Sequence, residues 1–287
     1  MFQIQRKSEI DERSIRQNSF SIAGSREQME YLTFPALEKT GIVRHLFSTR
    51  LGGVSEGEFS TMNFSVARGD SEEKVLANFG RIARVLDCDV EDMVASHQTH
   101  TTNIRHVTAD DRGKGITRLR DYTDIDGMIT DDPGIVLVTY FADCVPLFLV
   151  DPVHRAIGLA HSGWRGTADG MGARMVEAMG KAFGSKPEEL ITAVGPSICA
   201  DCYEVGKDVA EQFECFPQAV RKGNKPGKYQ LDLWKANSLV LQGAGVTAEH
   251  ISVTDICTCC NSEYLFSHRA TGGKRGNLGA FLALRRD

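Results

Sequence analysis

The chain has 287 residues, of which 41% are hydrophobic and 25% are charged, and its formal net charge at pH 7 is −5. This composition supports an ordinary globular core and argues against wholesale disorder, and the negative charge argues against a nucleic-acid binder. The chain contains no apolar run of about 18 residues and no secretory signal in residues 1–30, so we expect a cytoplasmic protein without a membrane segment.

The N-terminal half predicts few regular elements. Residues 1–30 are polar and weakly periodic, and we interpret them as an N-terminal extension or an edge element. A strand is predicted at 41–55, where it stops at a Gly-Gly turn, and a helix at 70–86, where apolar residues recur at helical spacing behind the capping residue Asp70. DMVASHQTHTTNIRHV, 92–107, is predicted to be a strand of mixed polarity, and an exposed loop follows it.

The C-terminal half alternates strands and helices. A short strand at 126–130 precedes the apolar run GIVLVTYFADCVPLFLV, 134–150, which we predict to be one long strand bent at Pro146. Further elements are predicted in this order: strand 156–161, helix 167–183, strand 190–194, helix 203–213, helix 231–245, strand 251–257 and strand 279–286. Without repeats or a linker, we expect one α+β domain at 31–287, an α/β/β/α-type sandwich with mixed sheets and flanking helices.

One stretch carries residues that packing alone does not explain. Asp143 and Cys144 interrupt the apolar run, and the next predicted strand ends on His161 before a glycine-rich SGWRGT segment. A buried aspartate is costly unless it is paired. Because Cys144 and His161 flank the same tight turn at equal distances, an antiparallel pair would place them at about the same level. A catalytic zinc ion needs three such ligands, and the third candidate is His100, with His97 as the alternative.

The remaining cysteines leave a rival metal site open. In a chain without an export signal, free thiols are the default. Cys199 and Cys202 form a CxxC pair, which cannot complete a zinc site alone, and Cys257, Cys259 and Cys260 could supply the rest. We favour ordinary thiols for all five.

Six blocks spread over residues 40–285 resemble the bacterial YfiH/YlmD family, also called the laccase-domain or polyphenol-oxidase-like family. They are STRLGGVS, QTH, ADCVPLFLVDP, HSGWRGT, GPSICADCYEV and FSHR. The resemblance implies one zinc ion per chain, held by His100, Cys144 and His161, and so selects His100 over His97. Many members carry Tyr where this chain has His268.

The resemblance also implies an activity. It points to a zinc-dependent purine nucleoside phosphorylase that acts on inosine, adenosine, guanosine and methylthioadenosine, with adenosine deaminase as a side activity. The alternative is a cysteine hydrolase or amidase that edits peptidoglycan precursors, with Cys144 as nucleophile and His161 as base. A non-enzymatic binding protein would leave the cluster of reactive residues unexplained. Copper is less expected than zinc, because a multicopper oxidase needs many more histidine ligands.

Further site residues follow from chemistry and from the resemblance. We predict four substrate-binding residues: Arg50, Asn63, Gln98 and Arg165. The two arginines lie near glycine-rich turns and suit a phosphate or ribose group. Asp143 is predicted to be catalytic, either as a proton shuttle or, the favoured role, as the residue that orients His161. Asn63 and Asp126 match family positions near the site, although a turn role is the stronger interpretation of each. The expected partners are a nucleoside and phosphate, with the chain a monomer or a small homo-oligomer.

Overall fold

The computed structural model describes residues 4–7, 15–22 and 28–286, and these residues form strands, α-helices and single 3-10 turns. The strands are β1 Arg16–Ser21, β2 Gln28–Thr33, β3 Val43–Ser48, β4 Met93–Ala95, β5 Ile104–His106, β6 Gly127–Thr130, β7 Val136–Phe141, β8 Val145–Asp151, β9 Ala156–Ser162, β10 Ile191–Val194, β11 Glu204–Gly206, β12 Val220–Lys222, β13 Lys228–Leu231, β14 Ile251–Val253 and β15 Leu278–Leu284. The helices are α1 Pro35–Glu38, α2 Glu72–Leu86, α3 Trp164–Ala168, α4 Met171–Phe183, α5 Lys207–Ala210, α6 Leu233–Gly243 and α7 His268–Thr271.

Two mixed six-stranded sheets and one small sheet make up the fold. The first sheet has the order β1-β2-β3-β15-β7-β4, and only the β4–β7 pair is parallel. The second has the order β14-β10-β8-β9-β6-β5, with β10–β14 and β5–β6 parallel. The small antiparallel sheet has the order β11-β13-β12. These mixed sheets with flanking helices confirm the predicted α+β class.

Three hydrophobic cores separate the layers. In β15, Leu282 points into the core between the two sheets, whereas its neighbour Phe281 packs on the side of α2. In β8, Phe148 likewise enters the core between the sheets, and Leu149 packs on the side of α4 and α6. Because successive side chains of a strand point to opposite faces, a strand covered on both sides reads as a continuous apolar run. The layer order is therefore α2, first sheet, second sheet, α4 with α6.

The apolar run 134–150 forms two strands rather than the single bent strand that we predicted. β7 lies in the first sheet, β8 lies in the second, and the chain crosses between them at 142–144. Asp143 makes this corner with φ 91, a backbone conformation uncommon for any residue but glycine. Pro146 lies inside β8, opposite His161, and does not mark the bend. Since both strands are buried on both faces, periodicity could not reveal the break.

The predicted strand at 92–107 is also divided. Only β4 and β5 are extended, and they belong to different sheets, so the residues between them form a loop that carries His97 and His100. The predicted helix at 203–213 is instead β11, the single turn α5 and a 3-10 turn at Glu211–Phe213.

Several element boundaries also differ from the prediction. The N-cap of α2 is Ser71 rather than Asp70, whose carboxylate accepts hydrogen bonds from Ser71 N at 2.8 Å and Asn63 Nδ2 at 2.8 Å. Within 1–30, the described residues include β1, which forms the edge of the first sheet beside β2. In the part of the chain that the structure describes, no helix is both long and apolar enough to cross a bilayer.

Candidate active site

Three predicted ligands converge where the two sheets meet. The ligand atoms of His100, Cys144 and His161 all lie within 4.8 Å of one another, and His100 Nε2 is 3.9 Å from Cys144 Sγ. Tetrahedral zinc, with bonds of about 2.0–2.3 Å, holds its ligand atoms about 3.3–3.8 Å apart. Small side-chain rotations would therefore bring all three onto one ion.

The antiparallel hairpin of β8 and β9 positions the sulfur and one imidazole. His161 lies opposite Pro146, so Cys144, which precedes β8, is offset by two residues from the level that we predicted. Diagonal neighbours of this kind remain within side-chain reach. The corner at Asp143 turns the chain at this point, and Cys144 is the first residue after it.

A buried carboxylate organises the two histidines. Asp126 accepts backbone hydrogen bonds from Thr99 N at 3.0 Å, His100 N at 3.1 Å and Thr101 N at 3.0 Å, which hold the ligand loop. His100 has φ 65, a left-handed conformation that these contacts sustain. The same carboxylate is 2.7 Å from His161 Nδ1, which leaves Nε2 of that ring available to bind a metal ion.

Asp126 thus has the orienting role that we predicted for Asp143. The carboxylate of Asp143 accepts hydrogen bonds from Thr258 Oγ1 at 2.6 Å and from Arg269 N at 2.7 Å. Because of its positive φ, Asp143 directs its side chain to the segments around Thr258 and Arg269 and braces the corner instead. The stronger interpretation of Asp126 as a turn residue missed this function, although its acidic side chain before a buried strand was a usable signal.

Charge in this cluster favours a thiolate. Burial raises the pKa of the Cys144 thiol, but the charge of His161 and the hydrogen bond to His100 outweigh it and bring the pKa down to about 6. Burial lowers the pKa of His161, yet Cys144 and Asp126 together raise it to about 9. For Asp126, burial works against ionisation, and the bond to His161 nevertheless holds its pKa below the ordinary value. A sulfur that is already ionised is a ready metal ligand.

The missing side chain of Gly163 makes room for the side chains of His100 and Cys144. A Cβ atom at this position would lie 2.8 Å from His100 Cδ2 and 3.2 Å from Cys144 Sγ. Only glycine lets the backbone approach both ligands this closely, which explains the glycine directly after β9. Two imidazoles and a thiolate around an open side are a donor set that fits a zinc ion.

The open side of the cluster faces a cavity of about 690 Å³. Besides the three ligands, its polar lining includes Arg68, His97, Gln98, Arg120, Tyr140 and Arg275. His97 Nδ1 accepts a hydrogen bond from Asp124 N at 3.2 Å, and His97 lies outside the ligand cluster. The choice of His100 over His97 therefore agrees with the geometry.

The four predicted substrate-binding residues separate into two groups. Gln98 lines the cavity, where its amide bonds the backbone of Tyr140 at both N and O, at 2.7 Å and 2.8 Å. Asn63 is buried behind the lining and holds it, because its Oδ1 accepts from Asn277 N at 2.8 Å and its Nδ2 donates to Ser65 O at 2.9 Å.

Arg50 and Arg165 lie outside the lining of this cavity. The Arg50 guanidinium donates to the carbonyl oxygens of Ser60 at 2.9 Å and Ser262 at 2.8 Å, so it fastens two loops together. Arg165 stacks on the ring of Trp164, with Cζ 4.4 Å from the centroid. The structure therefore does not bring these two arginines together as a phosphate cradle.

Three other arginines line the cavity: Arg120, whose guanidinium donates to Ser96 O at 2.5 Å, and the pair Arg68 and Arg275. Arg275 is buried, and burial together with the charge of Arg68 lowers its pKa to about 10. Its Nε atom has no hydrogen-bond partner among the described residues, and Nη1 donates to Gly276 O at 3.1 Å. Arg68 donates to Gly273 O at 3.1 Å. Across residues 4–7, 15–22 and 28–286, neither guanidinium forms an ion pair with a carboxylate. The sequence signal for Arg275 was its position in the glycine-rich GGKRG segment.

Comparison with known proteins places this site in a family. The sequence matches the family described as multi-copper polyphenol oxidoreductase laccase over residues 44–285. A protein named purine nucleoside phosphorylase YlmD from Bacillus subtilis is 36% identical over 83% of this chain and 87% of its own length. The crystal structure of the hypothetical protein YfiH from Bacillus licheniformis has a TM-score of 0.84 and 34% identity, over 91% of this chain and 98% of that one. The structure of YlmD from Geobacillus stearothermophilus has a TM-score of 0.83 and 35% identity, over 94% of this chain and 100% of that one. The chain belongs to the multi-copper polyphenol oxidoreductase laccase family.

Proposed function

We propose that this chain is a zinc-dependent purine nucleoside phosphorylase. The name of the Bacillus subtilis relative supports this activity, since it shares 36% identity over most of the chain. The observation that carries the proposal is local. Arg68 and Arg275 lack a carboxylate partner among the described residues and line the same cavity as His100, Cys144 and His161.

The three ligands would hold the metal, and the surrounding residues fix their state. Zinc in such a site supplies a Lewis acid and can lower the pKa of a bound water. Asp126 keeps the proton of His161 on Nδ1, so the other ring nitrogen stays free as a ligand. Gly163 keeps the approach to both His100 and Cys144 open.

The arginine pair would bind inorganic phosphate. Guanidinium groups recognise phosphate through charge-assisted hydrogen bonds, and burial of Arg275 strengthens them because water competes less. Phosphate oxygen would then attack C1′ of the ribose, the bond from C1′ to the purine nitrogen would break, and the purine would leave with the electron pair and take up a proton. The products are the free purine and ribose 1-phosphate. A cavity of about 690 Å³ lies within the range that accommodates a nucleoside-sized ligand.

Inosine, adenosine, guanosine and methylthioadenosine are the substrates that we propose, and adenosine deamination is a side activity. In the deamination, water adds to C6 of the purine and ammonia leaves. The polar groups of Gln98 and Tyr140 lie in the same lining, so they are candidates for contacts with the base.

A cysteine hydrolase acting on peptidoglycan precursors is the second candidate. The depressed pKa of Cys144 and the order Cys144, His161, Asp126 favour it, because nucleophile, base and orienting carboxylate follow one another as in a catalytic triad. His100 argues the other way. A triad has no use for a second imidazole 3.9 Å from the same sulfur, whereas a metal site needs it.

Assay of inosine with protein of known metal content tests the proposal. We expect hypoxanthine and ribose 1-phosphate, with no release in the absence of phosphate, and loss of turnover on chelation that zinc restores. Arg275→Met should raise KM for phosphate by about 10-fold or more, since a charged hydrogen bond contributes about 1.5–3 kcal/mol. Arg165→Met, outside the cavity, is the matched control.

Two results would count against phosphorolysis. Release of ribose instead of ribose 1-phosphate would show hydrolysis. Full activity of metal-free protein, with covalent labelling of Cys144 by substrate, would favour the hydrolase.

A further inference from the structure

A second cluster of side chains of the types that bind metals lies outside the cavity. The sulfur atoms of Cys199, Cys202, Cys257 and Cys260 all lie within 4.8 Å of one another, and the Cys202 and Cys260 sulfurs are 3.5 Å apart. The sequence pattern left a site of this kind open with Cys259 as a possible member. The structure selects Cys260 and so completes two CxxC pairs, one after β10 and one after β14.

The second sheet brings the two pairs together. β10 and β14 are parallel neighbours, and a bridge between Ser197 and Cys257 continues their pairing beyond the strands. Thr258 N donates to Ser197 O at 3.1 Å in this extension. Both CxxC pairs therefore begin just beyond the same ends of β10 and β14, and the fold places them side by side.

Backbone amides point at the sulfur atoms. Cys257 Sγ accepts hydrogen bonds from Cys199 N at 3.2 Å and from Cys260 N at 3.4 Å. The Lys7 ammonium, which also lies 3.4 Å from Asp201 Oδ2, interacts electrostatically with Cys199 and Cys260. Backbone N–H donors and a nearby positive charge are surroundings that suit metal-bound sulfur.

We propose that these four cysteines hold a second zinc ion in a closed tetrathiolate site. Zinc–sulfur bonds of about 2.3 Å place tetrahedral sulfurs about 3.8 Å apart. The observed separations, up to 4.8 Å, suit one ion and leave no room for a cluster of several metal ions. With all four ligands supplied by the protein, no open position remains, so the site is structural and does not depend on the function proposed above.

This site would hold the corner that presents Cys144. Ile198, next to the first pair, donates its N–H to Asp143 O at 3.0 Å. Thr258, inside the second pair, donates to the Asp143 carboxylate at 2.6 Å. Both CxxC segments thus form hydrogen bonds with Asp143, the residue before Cys144. A zinc ion that joins the two segments would therefore fix the position of Cys144 in the cavity.

Metal analysis of protein purified under reducing conditions without added metal tests the site. Cys144→Ala removes a cavity ligand and isolates the second site. We expect this variant to keep one zinc ion per chain and to show four sulfur ligands by X-ray absorption. In the wild-type background, Cys202→Ser should lower the zinc content by one equivalent, whereas Cys259→Ser, the matched control in the same segment, should not.

Several outcomes would overturn the assignment. They are a Cys144→Ala protein without zinc, a zinc ion in that protein with fewer than four sulfur ligands, iron in its place, or a Cys202–Cys260 disulfide in wild-type protein after thiol blocking. Because the decisive measurement uses Cys144→Ala, the result stands even if Cys202→Ser does not fold. Failure of the phosphorolysis assay would leave the zinc content unchanged, so the two proposals fail separately.

Discussion

Replacement of Asp126 by asparagine tests the organisation of the active site most directly. The Asp126 carboxylate is fully buried, and its two oxygens accept hydrogen bonds from Thr99, His100, Thr101 and His161. Asparagine replaces one of the two acceptor oxygens with an NH₂ group, which cannot accept hydrogen bonds from the donors around it. If the oxygen stays next to His161, the backbone N–H groups of Thr99 and Thr101 lose their acceptor.

Each buried donor left without a partner costs about 1–3 kcal/mol, so we expect Asp126→Asn to lower the free energy of unfolding by about 2–6 kcal/mol. Against a typical stability of about 5–15 kcal/mol, this is a large loss. If the amide turns over instead, its NH₂ group faces His161, so Nδ1 must become a hydrogen-bond acceptor and the ring proton moves to Nε2, the nitrogen that should bind metal. Either way, zinc affinity should fall about 10–100-fold.

Denaturant unfolding of the metal-free protein and zinc competition with a chelator measure the two effects. Asp124→Asn is the matched control, because Asp124 is two residues away and exposed, and asparagine tolerates its φ of 55. An Asp126→Asn protein that unfolds at the same denaturant concentration as wild type and binds zinc equally well would refute the role that we assign to this carboxylate.

Three further changes have defined outcomes. Gly163→Ala should abolish zinc binding in the cavity, because its Cβ would lie 2.8 Å from a ring carbon of His100. The control is Gly80→Ala in α2, which has open space around its Cβ and should stabilise the helix. Equal zinc affinity of the two variants, measured by competition with a chelator, would contradict the steric argument. Burial lowers the pKa of His45 from 6.5 to about 3, so its stabilising contribution is complete above about pH 6.5 and is lost as the pH falls toward 3. The denaturant midpoint should therefore fall more steeply from pH 7.5 to about 5 in wild type than in His45→Gln, and parallel curves would contradict this. Thr258→Val removes the hydrogen bond to Asp143 and should lower the free energy of unfolding by about 1–3 kcal/mol, whereas Thr258→Ser keeps the hydroxyl and should retain the wild-type value. Thermal or chemical unfolding measures both variants. Equal losses in both would show that the hydroxyl does not stabilise the corner.

The cluster of His100, Cys144 and His161 could be predicted from the sequence, since Cys144 directly precedes β8, His161 lies in β9, and the family resemblance supplied His100. The layer architecture followed as well, because helices with one apolar face and strands with two require covered sheets. Asp126 was undervalued, since nothing local shows that five donors from two segments converge on one carboxylate. Only the paired strands β6 and β9 bring it to His161.

The arginines that we propose for phosphate binding, Arg68 and Arg275, were not predicted, for a different reason. Arg50 and Arg165 stand beside glycine-rich turns, as phosphate-binding residues often do, but their guanidinium groups satisfy backbone carbonyls and an indole ring. Arg68 and Arg275 come from segments about 200 residues apart in sequence, and tertiary structure alone joins them. Local sequence patterns identify arginines that could bind phosphate, but contacts between distant segments determine which of them face the cavity.

The corner at 142–144 limits where residues can be inserted into or deleted from this chain. β7 and β8 belong to different sheets, and Phe148 and Leu149 fill different cores on opposite faces of β8. One inserted or deleted residue in the corner would either exchange every side chain of β8 between those cores or pull Cys144 away from the histidines. The exposed turn at 223–227, between β12 and β13, carries no such constraint. Homologous chains should therefore vary in length at that turn and keep the three-residue corner unchanged.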